Sequence, residues 1–558
     1  MPKDLLKPLF FFIAVLFLFS FWMDKTPLWS SDEGRFGEKA REMLEMKDFV
    51  VPHFDYVASI EKPPLAYVVT AFFYSIFGVS SWSARLTSIS SALLGLLLCY
   101  GFTRKLFNQR TAFWSVVLLT TTAGYVLLGR FAMIDMLLTL LLSASLFCLI
   151  TACLQQKRKY YLAAYVFMGL SFGAKGLIGI LLPGLIFLIF LCWTRNLGEI
   201  KRMSLGWGVV IVALIILPWC IAISMRKSDF FNVFIVKNHF TRFATPTFGR
   251  KRPFWFFVPI FIATSFPWSF FLPAAVARGL KSEWNERRVI QFLISWIAII
   301  FLFFSIPKSK LPYYLLPASM PVAILVAHFF SEYLNRGNDP KNRSGLAAWS
   351  WKALPLVGLV ILTGLNLYLY FLPFPKRAEI LVLQPFLSLC SLVLMGGTAV
   401  SYFFHKKGQN PRAVLALAGM IYLSLILIAV GIKTISPFQS TYDYAQVLIS
   451  RLKENDGVAI FASPDHFSDF MFHLRRRVMI VGDNRGGLAE ESLKLENALE
   501  SKKWFLSLDE FVRSFNARQR RLFCLLPEKD FPILKSKGLE NYKVLKKDSG
   551  QLLISNSD

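Results

Sequence analysis

Acidic residues are scarce over most of this chain and unevenly placed. Of the 18 Asp and Glu between Met1 and Gly431, nine lie between Asp24 and Glu61. Another carboxylate, Asp135, ends the run Gly129-Arg130-Phe131-Ala132-Met133-Ile134-Asp135 between two apolar stretches. Cations recur at similar boundaries: Arg35 and Lys62 within the acidic segment, Lys175 in Gly173-Ala174-Lys175-Gly176, and Lys308 and Lys310 beside Tyr313 and Tyr314 in Pro307–Pro317. An anionic, lipid-attached substrate fits that pattern. Arg35, Lys62, Lys175 and Lys310 could bind phosphate, and Asp32 or Asp135 could stabilise or activate reactants.

Each residue also has a plainer reading. Ser31 or Asp32 suits a helix N-cap, with Glu33 in the first turn. Glu38, Glu42 and Glu45 read as the solvated acidic face of a surface helix. Glu61-Lys62-Pro63-Pro64 is a helix-start signal with an ion pair. Asp135 could cap a helix beginning at 136, but a carboxylate at a membrane boundary is expensive unless paired or functional, which favours function. Lys175 could snorkel to an interface, and the tyrosines could form an interfacial belt.

The elements that must position these residues are apolar. Hydrophobic residues make up 55% of the 558 positions and charged ones 17%, with 55 phenylalanines. Soluble domains carry fewer apolar and more charged residues. The spacing predicts 13 spans, at 8–23, 82–103, 111–128, 136–154, 160–174, 176–193, 205–224, 254–277, 289–306, 313–330, 353–373, 380–403 and 413–432. The first is read as a retained span, not a signal peptide. The stretch 65–78 is short and reads as interfacial or re-entrant. If it does not cross, six short basic loops fall on one side, which is the cytoplasmic signature. The N-terminus is then inside, and Asp24–Pro64, Gly129–Asp135, Lys175 and Pro307–Pro312 lie outside. For Asp32 and Asp135 to serve one site, the outer loop would have to fold back over the Gly129–Asp135 turn.

Net charge is +27, yet from Ile432 to Asp558 there are 20 Lys and Arg against 17 Asp and Glu. The basic excess therefore belongs to the membrane part and its lipid headgroups, and nucleic acid is a poor partner. Residues 1–432 form the membrane domain and 433–558 a soluble outer domain. In the latter, 458–462, 478–481, 522–526 and 552–554 read as strands and 442–453 and 508–515 as helices, a small α/β fold with nothing catalytic in it. Of seven cysteines only Cys524 lies there, and no CxxC motif exists.

Seven segments occur in an order that resembles the bacterial aminoarabinose transferases of lipid A. They are Asp32-Glu33-x-Arg35 with Arg41-Glu42-Met43-Leu44, Glu61-Lys62-Pro63, Asp135, Lys175-Gly176, His239-x-x-Arg242-Phe243-Ala244 with Pro253-Phe254-Trp255, Phe266-Pro267-Trp268, and Lys310-Leu311-Pro312-x-Tyr314. That family sits within the polyprenyl-phosphate-sugar glycosyltransferases of GT-C fold, with the protein O-mannosyltransferases. The resemblance implies an all-α polytopic membrane protein of 13 helices with a small α/β periplasmic domain, in the bacterial inner membrane. It implies undecaprenyl phosphate carrying a sugar as donor, and lipid A or another envelope lipid or glycan as acceptor. Asp32 becomes the catalytic-loop carboxylate and Asp135 the second acid. Arg35, Lys62, Lys175 and Tyr314 contact the donor phosphate, and Glu61 and His239 ligate a divalent metal, zinc by family. The family usually has Arg-Tyr or a similar pair just before Glu-Lys-Pro, where this chain reads Tyr56-Val57-Ala58-Ser59-Ile60.

A phosphate acceptor is already ionised and needs positioning, whereas a hydroxyl acceptor needs Asp32 to accept its proton. A protein-glycosylating transferase is therefore a second reading. A lipid or sugar transporter is a distant third, because neither inverted repeats nor charges deep in the spans are seen.

Overall fold

The structure is a computed structural model that describes residues 3–234, 236, 252–335, 345–371, 381–483, 488 and 503–557. It resolves into two compact units. One comprises Met1–Met23, Glu61–Ala66 and Thr87–Ile432, and the other Asp24–Ile60, Tyr67–Leu86 and Lys433–Asp558.

The first unit is helical. Among the described residues, seven helices are long and apolar enough to cross a membrane, or eight if the bent pair Gln109–Thr120 and Ala123–Arg130 counts as one. Shorter apolar helices include Phe11–Ser20, Ile178–Trp193, Phe254–Thr264 and Gly345–Ile361. Among the described residues each predicted span overlaps helix, but two are broken. The expected 111–128 span bends by 61°, because Thr120, Thr121 and Thr122 each turn a hydroxyl back onto a carbonyl of the preceding turn. Trp268 Nε1 then donates to the Thr121 carbonyl at 3.2 Å and holds the break open. The expected 254–277 span divides into helices at Phe257–Thr264 and Leu272–Gly279 with a single turn at Trp268–Phe270 between them, where Pro267 and Pro273 cannot donate to a helical ladder.

The hairpin that matters most joins Ile134–Gln155 to Arg158–Lys175. Gln156 takes φ +54° in the tight turn between them. Antiparallel pairing therefore returns the last residue of the second helix to the first turn of the first. Arg130 donates to the Leu18 carbonyl, and to that of Phe21 at 2.6 Å, satisfying acceptors where the helix Lys3–Ser20 ends.

The second unit carries a six-stranded sheet of order β5-β4-β3-β6-β8-β7. Its strands are β3 (Gly457–Ile460), β4 (Met479–Val481), β5 (Phe505–Leu506), β6 (Leu522–Pro527), β7 (Lys543–Asp548) and β8 (Gln551–Ser555). Strands β5, β4, β3 and β6 run parallel, while β8 pairs antiparallel with β6 and β7. The four predicted strands and two predicted helices are present. The short β1 (His53–Phe54) and β2 (Val57–Ala58) form a hairpin whose Phe54 and Val57 enter the same core as Ile460, Phe470 and Leu525. Leu65–Phe77 is a 13-residue helix, about 20 Å long and too short to cross a hydrocarbon core of about 30 Å.

Candidate functional site

In the membrane unit, the Lys175 ammonium meets the Asp135 carboxylate in a close ion pair at the open end of the helical hairpin. Both side chains are largely enclosed, at 13% and 8% exposure. The acid lies in the first turn of its helix and the lysine in the last turn of its own, so each sits at the helix pole that favours its charge. The helix start falls two residues earlier than a cap reading of Asp135 requires. Met133 is the N-cap, and the carboxylate makes no cap bond. Lys175 Nζ also stands 5.0 Å from the centre of the Tyr314 ring and 5.7 Å from that of Tyr313. Both rings belong to the 3-10 helix Pro312–Ala318. An ammonium held this way keeps a desolvated positive charge in place.

Lys310 is buried and donates to the carbonyls of Pro307 and Arg252, the latter at 3.2 Å. It braces the segment before the tyrosines. Glu61 and Lys62 are half-buried in the same unit. His239, the expected partner of Glu61 at a metal, lies outside the described residues.

In the second unit, Arg35 pairs with Asp465 at 3.0 Å and with Asp32 at 3.7 Å. Ser31 occupies the N-cap position of the helix Asp32–Met46 with φ +69° and makes no side-chain cap bond. That conformation is costly for serine and marks the segment as held by its surroundings. Glu33 receives the Arg85 guanidinium on both oxygens at 2.8 Å, while Arg85 also donates to the Thr26 and Pro27 carbonyls. Asp469 accepts hydrogen bonds from Ser30, Ser440 and Thr441. Gly34 is required by the same packing: a Cβ there would stand 2.3 Å from the Asp469 backbone nitrogen.

The solvated acidic face expected of this helix is found at Glu45, 50% exposed, but not at Glu38 and Glu42. Glu38 and Glu42 are fully buried and Arg41 is 4% exposed. Arg41 donates to both Glu38 oxygens at 2.7 and 2.8 Å and to Glu45. The Tyr56 backbone N–H donates to Glu42. Burial, with the charge of Glu38 and Asp55, pushes the Glu42 carboxyl well above the ordinary range, and burial does the same to Asp55. The pattern i, i+4, i+7 of acids on a helix reads alike whether it faces water or a buried arginine, so sequence alone missed this network. Arg85 carried a signal, since a lone arginine opening an apolar span needs a partner. Asp465 and Asp469 carried none, since Arg35 and Ser30, which they meet, lie more than 400 positions away.

A family model described as dolichyl-phosphate-mannose-protein mannosyltransferase matches residues 61–221. The undecaprenyl phosphate-alpha-4-amino-4-deoxy-L-arabinose arabinosyl transferase of Shewanella sediminis is 28% identical over 486 residues, 86% of each chain. That of Pectobacterium atrosepticum is 33% identical over 344 residues, 59% of this chain and 60% of the other. The chain is similar to the aminoarabinose transferases over most of its length and is a GT-C glycosyltransferase. The crystal structure of ArnT from Cupriavidus metallidurans bound to undecaprenyl phosphate superposes with TM-score 0.86 at 24% identity, covering 98% of both chains, and supports the family fold. The archaeal oligosaccharyltransferase of Archaeoglobus fulgidus shares the architecture more distantly, at TM-score 0.53 and 14% identity, covering 93% of this chain and 69% of its own. The chain is a multi-pass membrane glycosyltransferase, as its sequence predicted.

Proposed function

We propose that this transferase moves 4-amino-4-deoxy-L-arabinose from undecaprenyl phosphate to a phosphate of lipid A, at the periplasmic face of the bacterial inner membrane. Thirteen spans with the N-terminus inside put Lys175, Asp135 and the loop after the first span on that face. The observation that carries the reading is the Lys175 ammonium, fixed between a carboxylate and two aromatic rings. Among the described residues its one hydrogen bond goes to Asp135. Two N–H donors remain for a phosphate oxygen without giving up the anchor.

The bond that breaks joins the sugar's anomeric carbon to the polyprenyl phosphate, and the bond that forms joins that carbon to the acceptor. Charge builds on the departing phosphate, and a pre-positioned ammonium stabilises it there. Asp135 keeps Lys175 aimed. Arg35, Lys62 and Tyr314 are the further donor-phosphate contacts, and Lys310 acts by bracing the tyrosine segment. Asp32 is the carboxylate of the catalytic loop. The lipid A phosphate attacks as an anion and needs no base. Glu61 and His239 remain the proposed holders of a divalent metal, zinc by ligand type, and no step of the transfer runs through it.

Mass spectrometry of lipid A from cells with and without this protein tests the reading. Aminoarabinose on lipid A only in its presence is expected, and unchanged lipid A overturns it. The mannosyltransferase family match gives a second reading, transfer to protein, which the same cells would show as a glycosylated polypeptide.

A further inference from the structure

We propose a second, separate metal site in the membrane unit: Glu286, His328 and Glu332 hold a divalent cation, zinc by ligand type. Among the described residues these three form a group whose ligand atoms all lie within 4.8 Å of one another. His328 and Glu332 stand at i and i+4 on the helix Ser319–Asn335, and Glu286 enters from the first turn of Trp284–Ser305. His328 Nε2 is 3.4 Å from Glu332 Oε1 and 4.0 Å from Glu286 Oε2. Tetrahedral zinc with bonds of about 2.0–2.1 Å separates its ligand atoms by roughly 3.3–3.4 Å. The His328–Glu332 edge already has that length. Glu286, 39% exposed, can close the other by a small rotation.

The imidazole itself points to a ligand. His328 is 4% exposed, and neither ring nitrogen has a hydrogen-bond partner. A buried polar ring left unsatisfied is costly, and a metal on Nε2 would satisfy the nitrogen that faces the two carboxylates. The surroundings orient two of the three side chains. The Phe107 ring packs at 4.6 Å on the imidazole and fixes its plane. Arg278 Nε donates to Glu332 Oε2 at 2.9 Å, leaving Oε1 toward His328. Two carboxylates balance a divalent ion, and the partial exposure of both provides a route for it. In the topology proposed above the site lies at the cytoplasmic end of the spans, away from Lys175 and from the Glu61 and His239 pair. Its role would be to tie Trp284–Ser305 to Ser319–Asn335.

The test uses full-length protein in detergent, stripped with chelator and titrated with Zn2+ against a competing chelator. Wild type should take up one equivalent that Glu286→Gln, His328→Gln and Glu332→Gln each lose or bind at least about tenfold more weakly. His239→Ala should retain that equivalent. Zn2+ should raise the Tm of wild type more than that of the three variants. Should His328→Gln fail to fold, Glu286→Gln, at the partly exposed position, decides. Unchanged Zn2+ stoichiometry and affinity in folded Glu286→Gln overturns the proposal.

Discussion

The membrane unit and the second unit each enclose an ion pair built on a helix end or face, and the two pairs differ in what they leave over. Arg41 spends its guanidinium on Glu38 and Glu45, and Arg85 spends its own on Glu33 and two carbonyls. These forks are saturated by groups of the same unit and fix the fold of the segment after the first span. Lys175 gives one hydrogen bond to Asp135 and turns the rest of its ammonium toward two tyrosine rings. A saturated guanidinium is architecture, whereas an anchored ammonium with donors to spare can meet a substrate anion.

Breaking the saturated network should cost the most. Arg41→Ala strands Glu38 and Glu42 in the interior, and removing one partner of a buried pair costs about 3–5 kcal/mol. Thermal unfolding of the purified protein, followed by limited proteolysis of the second unit, should show that loss. A Tm near wild type would mean that the acids are neutral and the pair is dispensable. At the open pair the effect should fall on activity instead. Asp135→Asn keeps size but removes the charge that holds Lys175, and transfer should drop by about 2 kcal/mol, roughly 30-fold. Yield and Tm should stay near wild type, and a mainly structural role for Asp135 would reverse that split.

These two regions were not equally legible from sequence. Asp135 and Lys175 stood out because ionisable residues are rare beside apolar runs, and the hairpin joining them follows from two helices with a tight turn. Glu38 and Glu42 did not, since their partner Arg41 lies among them and nothing in the spacing separates a buried cluster from a wet one. The helical architecture and the sheet's central strands β3, β4, β6 and β8 were readable from apolar runs. The edge strand β7 was not, because Lys543-Val544-Leu545-Lys546-Lys547-Asp548 carries the charges that protect an edge. The bend at Thr120–Thr122 was hidden because hydroxyls satisfied within a helix leave the hydropathy of a span nearly unchanged.

Smaller effects sharpen the contrast further. Gly34→Ala would drive a methyl into the backbone of Ser468 and Asp469, and overpacking of this kind costs about 1–3 kcal/mol. The same thermal unfolding measurement should register it, and a neutral Gly34→Ala would mean that this contact is loose. The smallest effect should be a pH dependence. Burial, with Arg85 and Arg475 nearby, pulls the His473 imidazole down to about 3 from its ordinary 6.5. The unfolded chain therefore binds more protons than the folded one between these values. The stability this histidine contributes is complete above about pH 6.5 and is lost as pH falls toward 3. Glu42 and Asp55, raised by burial, act in the opposite sense and lose their contribution as pH rises. Between pH 7 and 5, wild type should lose more Tm than His473→Phe, and parallel losses would remove His473 as the cause.

The central claim is that Lys175 serves the donor phosphate and that its pairing with Asp135 is an anchor for that task. The direct measurement is single-turnover transfer by purified, folded Lys175→Ala, with undecaprenyl phosphate aminoarabinose as donor and lipid A as acceptor. Losing a charge-assisted contact to the departing phosphate should cost about 2–4 kcal/mol, roughly 30- to 1000-fold in rate. Transfer by Lys175→Ala at a rate near wild type would contradict the account and leave the lysine as a structural partner of Asp135.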